Sequence, residues 1–105
     1  MKKIFFILSV FILIGTSLEV YAKTHKIYMD SMSYDPDHLE VKVGDKITWI
    51  NRDISVHSAT STHYAFNSGS IRRKKRWSFK VKEEGEYPYK CLFHSGMKGS
   101  FTATK

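Results

Sequence analysis

Residues 91 to 97 read Cys-Leu-Phe-His-Ser-Gly-Met. A thiol, an imidazole and a thioether therefore stand at i, i+3 and i+6 of one short stretch. Upstream, His57 closes the run Asn51-Arg52-Asp53-Ile54-Ser55-Val56-His57 and offers a second imidazole. Thiolate and thioether are soft donors that suit Cu(I), and imidazole suits Cu(II) as well. Two His, one Cys and a weak axial Met are the donor set of a blue-copper electron-transfer centre. Such a set compromises between two oxidation states, so little rearranges when an electron arrives. Other metal chemistry fits less well. Structural zinc calls for a second close ligand pair, which Cys91 and His94 lack. Covalent haem needs C-x-x-C-H, and that motif is absent.

These side chains act together only if a scaffold holds them, and the flanking residues have the period of strands. Tyr87, Tyr89 and Cys91 alternate with Pro88 and Lys90 just before the stretch, and Phe101 and Ala103 alternate with polar residues just after it. The stretch is thus a loop between two strands, each with one wet and one buried face. The same period runs through Leu39, Val41 and Val43 and through Trp77, Phe79 and Val81. Further strands are expected at Thr24–Met29, Lys46–Ile50 and Val56–Thr60. Gly44-Asp45 separates two of these runs and predicts a hairpin. Asp35-Pro36-Asp37, Asn67-Ser68-Gly69 and Glu83-Glu84-Gly85 mark other turns. No helical period follows residue 22. About seven short strands predict an all-β fold, an antiparallel β-sandwich or small barrel. An immunoglobulin-like sandwich is one candidate, because Tyr89 stands two residues before Cys91 as a tyrosine corner would. Its second Cys is missing, so Cys91 needs another explanation.

The chain has 105 residues, and its start reads as an export signal. Met1-Lys2-Lys3 is positive, Ile4 to Ile14 is apolar except for Ser9, and Val20-Tyr21-Ala22 offers cleavage after Ala22. The apolar run is short for a membrane span, which needs about 20 residues. Residues 1–22 are expected to be a signal peptide and 23–105 the exported periplasmic domain, a monomer without stable membrane insertion. That length excludes a multidomain enzyme, a doubly wound nucleotide-binding fold and a barrel of βα units. Cys91 is the one cysteine, so no intrachain disulfide braces the small core. Removing Lys2, Lys3 and Glu19 leaves 15 basic and 9 acidic residues, a net charge of +6. Five of those charges form one run, Arg72-Arg73-Lys74-Lys75-Arg76. Nucleic acid is not the expected partner of an exported chain.

Several segments together resemble the cupredoxin family, most closely its amicyanin and plastocyanin-like members. They are Tyr34-Asp35-Pro36 through Leu39-Glu40-Val41, Gly44 through Asn51, Val56-His57, Gly85 through Cys91, and His94-Ser95-Gly96-Met97-Lys98-Gly99. The two-residue gaps from Cys91 to His94 and from His94 to Met97 match a short amicyanin-type ligand loop. The resemblance implies a Greek-key β-sandwich with one copper ion near one end, cycling between Cu(I) and Cu(II). It implies His57, Cys91 and His94 as ligands, with Met97 axial. It also implies a carrier of single electrons between redox proteins, not an enzyme. The alternatives are a copper carrier or sensor using the same ligands, and an interaction sandwich without metal. The sequence departs from the family pattern at two points. Ser58 follows the first His where many members have Asn, and Phe93 and Ser95 flank the second His where many have Pro.

His25, His38 and His63 are expected at the surface, with His63 the one rival to His57. Trp49, Trp77, Phe79, Tyr87, Tyr89 and Phe101 are expected in the core. The resemblance implies an apolar surface patch near the exposed edge of His94, formed by Phe93, Met97 and Leu92. The run Arg72 to Arg76 has three readings: a solvated loop, a docking site for an acidic redox partner, or attraction to anionic lipid.

Overall fold

The computed structural model describes residues 22–105. The expected signal peptide, but for Ala22, lies outside the described residues. Eight strands follow: β1 (Thr24–Asp30), β2 (Ser33–Asp35), β3 (His38–Lys42), β4 (Lys46–Asn51), β5 (Thr60–Ser61), β6 (Arg76–Lys80), β7 (Gly85–Lys90) and β8 (Lys98–Thr104). They form two four-stranded sheets, ordered β2-β1-β4-β6 and β3-β8-β7-β5. No helix occurs among the described residues.

Alternation places one apolar row of each sheet inward. Ile27 and Met29 of β1 and Ile47 and Trp49 of β4 face Val41, Tyr89, Phe101 and Ala103 of the other sheet. Trp49, Tyr89 and Phe101 are fully buried, while Trp77, Phe79 and Tyr87 are half-buried against the core margin. Burying one large apolar side chain stabilises by roughly 1.5–3 kcal/mol, so these rows dominate the fold. Phe66, in the connection after β5, fills the centre. Its ring lies 4.7 Å from Phe79, 5.5 Å from Trp49 and 6.0 Å from Phe101.

The all-β sandwich is as expected, but its pairing is mixed. β1 runs parallel to β4 and β3 parallel to β8. The reason lies at the turns. Gly44-Asp45 joins β3 to β4, which belong to different sheets, so it is a crossover and not the predicted hairpin. Gly44, at φ 102°, donates its N–H to Val81 across the turn at 2.8 Å. A two-residue hairpin does occur at Ser31-Met32, with φ of 55° and 60°, between β1 and the unpredicted β2. Both central residues are left-handed, as in a type I′ turn, without the Asn-Gly signal that usually announces one. The strand expected at Val56–Thr60 reduces to a bridge of His57 with Ile71 and the short β5. Hydroxyls take over the backbone there: Ser68 Oγ accepts the Ala59 N–H at 2.8 Å. The tyrosine corner is also displaced. Tyr89 OH is buried without a hydrogen-bond partner, whereas Tyr87 OH donates to the Glu83 carbonyl at 2.6 Å.

Asp45 holds the crossover. Its carboxylate accepts the N–H groups of Lys23 at 3.0 Å and Lys42 at 2.9 Å, and lies 2.8 Å from His25 Nε2. Burial alone would raise its pKa, but the bonds from Lys23, His25 and Lys42 outweigh this and lower it to about 2. A depressed carboxylate stabilises the fold above its ordinary pKa and loses that contribution as pH falls through the folded value. Asp45→Asn is therefore expected to lower stability at neutral pH by on the order of 2 kcal/mol. Urea midpoints should show the gap to the parent protein narrowing below about pH 4 and closing near pH 2.

Candidate metal centre

Two loops meet at one end of the sandwich. One leads from β4 to β5 and carries His57; the other joins β7 to β8 and carries Cys91, His94 and Met97. Three of the four expected side chains converge. The ligating atoms of His57, Cys91 and His94 all lie within 4.8 Å of one another. Cys91 Sγ stands 3.7 Å from His57 Nδ1 and 3.6 Å from His94 Nδ1. A sulfur at about 2.3 Å and a nitrogen at about 2.0 Å from one ion, about 120° apart, would be about 3.7 Å from each other. The thiol and both imidazoles thus fit a single first-row metal, and their softness suits copper.

Met97 lies buried in the same loop, and its carbonyl accepts the Cys91 N–H at 3.0 Å. Burial removes it from the expected surface patch. Leu92 and Phe93 remain exposed, at 53% and 47%. His63 is exposed and outside the cluster. His38 is exposed as expected, but His25 is half-buried against Asp45.

The hydrogen bonds show what holds the cluster. His57 is fully buried, and its Nε2–H donates to Asp53 Oδ2 at 2.7 Å. A carboxylate can only accept, so this bond fixes the proton on Nε2 and leaves the Nδ1 lone pair facing Cys91. Asp53 also accepts the N–H groups of Ser31 at 2.8 Å and Met32 at 2.9 Å, which braces the left-handed turn. Burial pushes the Asp53 carboxyl up, but the bonds from Met32, His57 and Ser31 outweigh this and hold it below the usual range. Asn51, fully buried, organises the loop before His57. Its Nδ2 donates to the carbonyls of Ser55 and Ile71, both at 2.8 Å, and its Oδ1 accepts the Asp53 N–H at 2.7 Å. Sequence reasoning missed Asn51 and Asp53. The available signal was an Asn and an Asp six and four residues before a candidate ligand.

Ser58 answers the first departure from the family pattern. Its Oγ accepts the Leu92 N–H at 2.9 Å and so joins the two loops directly. Its carbonyl accepts Tyr34 OH at 2.5 Å. Burial, with smaller effects from Cys91 and Tyr89, pushes the Tyr34 hydroxyl well above its ordinary pKa, so it stays a donor. Ser58→Ala would leave the Leu92 N–H without that acceptor, and is expected to cost about 1–2 kcal/mol. Thermal unfolding of the metal-free protein reads this loss. Thr at position 58 should restore most of it.

A β-sandwich that brings one thiol and two imidazoles together where two loops meet defines a domain built around a single candidate metal centre. Residues 3–103 match the family described as a cupredoxin-like domain. The chain belongs to that family. It is 33% identical over 76 residues to amicyanin of Paracoccus denitrificans, a match covering 65% of this chain and 56% of that relative. It also resembles solved structures of amicyanin variants in the Cu(I) form. One has a TM-score of 0.72 at 27% identity, covering 76% of this chain and 81% of the other. Another has 0.73 at 29% identity, covering 81% and 86%.

Proposed function

We propose that this chain is an exported mononuclear copper protein that carries single electrons between redox partner proteins, and that it transforms no substrate. The observation that carries this reading is the approach of Cys91 Sγ to two imidazole Nδ1 atoms at 3.6 and 3.7 Å. The similar amicyanin variants have been solved in both Cu(I) and oxidised forms. Bound copper would supply the one-electron couple. His57, Cys91 and His94 would hold it, and the Met97 thioether, in the same loop, would be a further weak donor. Asp53 and Asn51 keep the His57 ring fixed, and the Phe93 N–H lies 3.4 Å from Cys91 Sγ, where it tempers the sulfur's charge. His94 is half-buried and flanked by exposed Leu92 and Phe93, so it is the edge that a partner would approach.

The export reading divides the chain into a signal at 1–22 and a periplasmic domain at 23–105. It gains support from Asp45. Cleavage after Ala22 would turn the Lys23 N–H, 3.0 Å from Asp45 Oδ1, into an ammonium facing that carboxylate. No helix among the described residues is long and apolar enough to cross a membrane.

Titration with Cu(II) tests the reading. The protein is expected to turn intensely blue at one equivalent, from thiolate-to-Cu(II) charge transfer. Met97→Leu should keep the colour and shift the potential. A colourless protein that holds Cu(I) would favour a copper carrier, and no copper binding would overturn both.

A further inference from the structure

The sheet β2-β1-β4-β6 has an outer face that the core does not use. Register places Tyr28 beside Ile50, and Ile50 opposite Arg76. Over that row, a groove of about 420 Å³ opens above Tyr28 and Ile50. Five cations rim it: Lys26 from β1, Arg52 after β4, and Arg73, Lys74 and Arg76 from the basic run. Fold, not sequence, assembles this set. The linear run contributes three members, and two come from elsewhere in the chain.

None of the five forms an ion pair among the described residues. The pairs there are His25–Asp45, His38–Glu40, His57–Asp53 and Lys105–Glu84. Lys46 and Lys80, cross-strand neighbours on the same sheet, also lack one. The acids of this sheet, Asp30 and Asp35, stand at the β1–β2 edge, away from β6. Clustered like charges repel, so an unpaired set on a folded surface invites an external anion. The Arg52 guanidinium lies 3.7 Å from the centroid of the Tyr28 ring and is thereby pre-positioned. Guanidinium forks match carboxylates with two parallel bonds. The site is also concave with an apolar floor. Side chains protruding from a protein can reach that floor, whereas a flat lipid surface would meet only the rim.

We propose that this groove docks an acidic, Asp/Glu-bearing segment of a partner protein. It deepens the electron-carrier reading by naming the partner's chemistry, and rests on that reading for the partner's role. It also separates the two jobs: charge recognition on the sheet face and electron exchange at the His94 edge. Asn51, buried beneath the groove, ties the loop that carries His57, so the groove sits over the scaffold of the metal centre.

The test uses the isotopically labelled full chain, metal-free and copper-loaded, titrated with a hexaglutamate peptide at low salt. Amide shifts are expected on β1, β4, β6 and residues 72–76. Arg52→Gln/Arg73→Gln/Arg76→Gln should weaken binding at least about tenfold and flatten its salt dependence. Lys42→Gln/Lys90→Gln/Lys98→Gln, with the same loss of charge on the other sheet, should change it less than about twofold. Equal losses in the two variants would overturn the proposal. So would equal competition by inorganic phosphate, or a preference for phosphatidylglycerol vesicles over the peptide. A blue protein that ignores the peptide sinks the groove alone. A protein that binds the peptide but never turns blue sinks only the electron-carrier reading.

Discussion

Copper-loaded Cys91→Ser protein is expected to be colourless and to hold copper more than about 100-fold more weakly than the parent. Removing a residue that merely orients a ligand costs about 10–100-fold in metal affinity, and loss of the thiolate itself must exceed that. Cys91 is the sulfur donor in the cluster, 3.6 and 3.7 Å from the two imidazole nitrogens. A serine hydroxyl is a hard donor and stays protonated near neutral pH, so it replaces neither the bond nor the charge transfer. The metal-free fold is the control. Cys91 is buried, and the smaller hydroxyl should shift its stability by only about 1–2 kcal/mol. Absorbance with Cu(II), competition with a Cu(I) chelator and urea unfolding measure the three quantities. A blue Cys91→Ser protein would rule out the thiolate as the chromophore.

Asn51→Ala is expected to produce a large loss of stability, about 3–4 kcal/mol, from three hydrogen bonds of one buried side chain at about 1 kcal/mol each plus the desolvated groups left behind. The total stability of a small domain is about 5–15 kcal/mol, so this is a large share. Two carbonyls, of Ser55 and Ile71, lose a donor, and the Asp53 N–H loses its acceptor. Asp53 is the group that holds His57, so the damage should reach the metal centre as about 10–100-fold weaker copper binding. Asn51→Asp keeps the acceptor for the Asp53 N–H but turns an acceptor oxygen toward the Ser55 and Ile71 carbonyls and buries a charge, so it should be at least as destabilising as Asn51→Ala. Parallel urea and copper titrations of the three proteins check the order. Intact copper affinity in a destabilised Asn51→Ala protein would show that the loop is held without this side chain.

Much of the site was legible because metal chemistry is local in side-chain type. Cys91, His94 and Met97 share one short loop, so their spacing survives folding unchanged. His57 needed more. Its distance from Cys91 is 34 residues, so the two were tied together by the chemistry of the donor set and by the family resemblance, not by spacing. Asn51 and Asp53 were not legible as supports, and Ser58 was visible only as a departure from the family pattern. Each acts through a hydrogen bond to a group whose position depends on the whole sandwich, and polar residues in a loop ordinarily face water. The surface patch failed at Met97 for a related reason. The Cys91 N–H is bonded to the Met97 carbonyl, and the side chain is buried.

The sequence by itself determined where the longer strands run and which apolar row of each turns inward, because a two-residue period is a local property of the chain, but it did not determine β2 or the break within Val56–Thr60. It also determined the donor types and the charge. Tertiary structure alone decided which strands are neighbours. Gly44-Asp45 has the form of a hairpin turn, yet it sends the chain to the opposite sheet, so β4 pairs with β1 and β6 instead of β3. Pairing depends on the fit of apolar rows far apart in sequence, which no local pattern records. The same long-range fit draws Lys26 and Arg52 into one groove with Arg73, Lys74 and Arg76, and sets His57 beside Cys91.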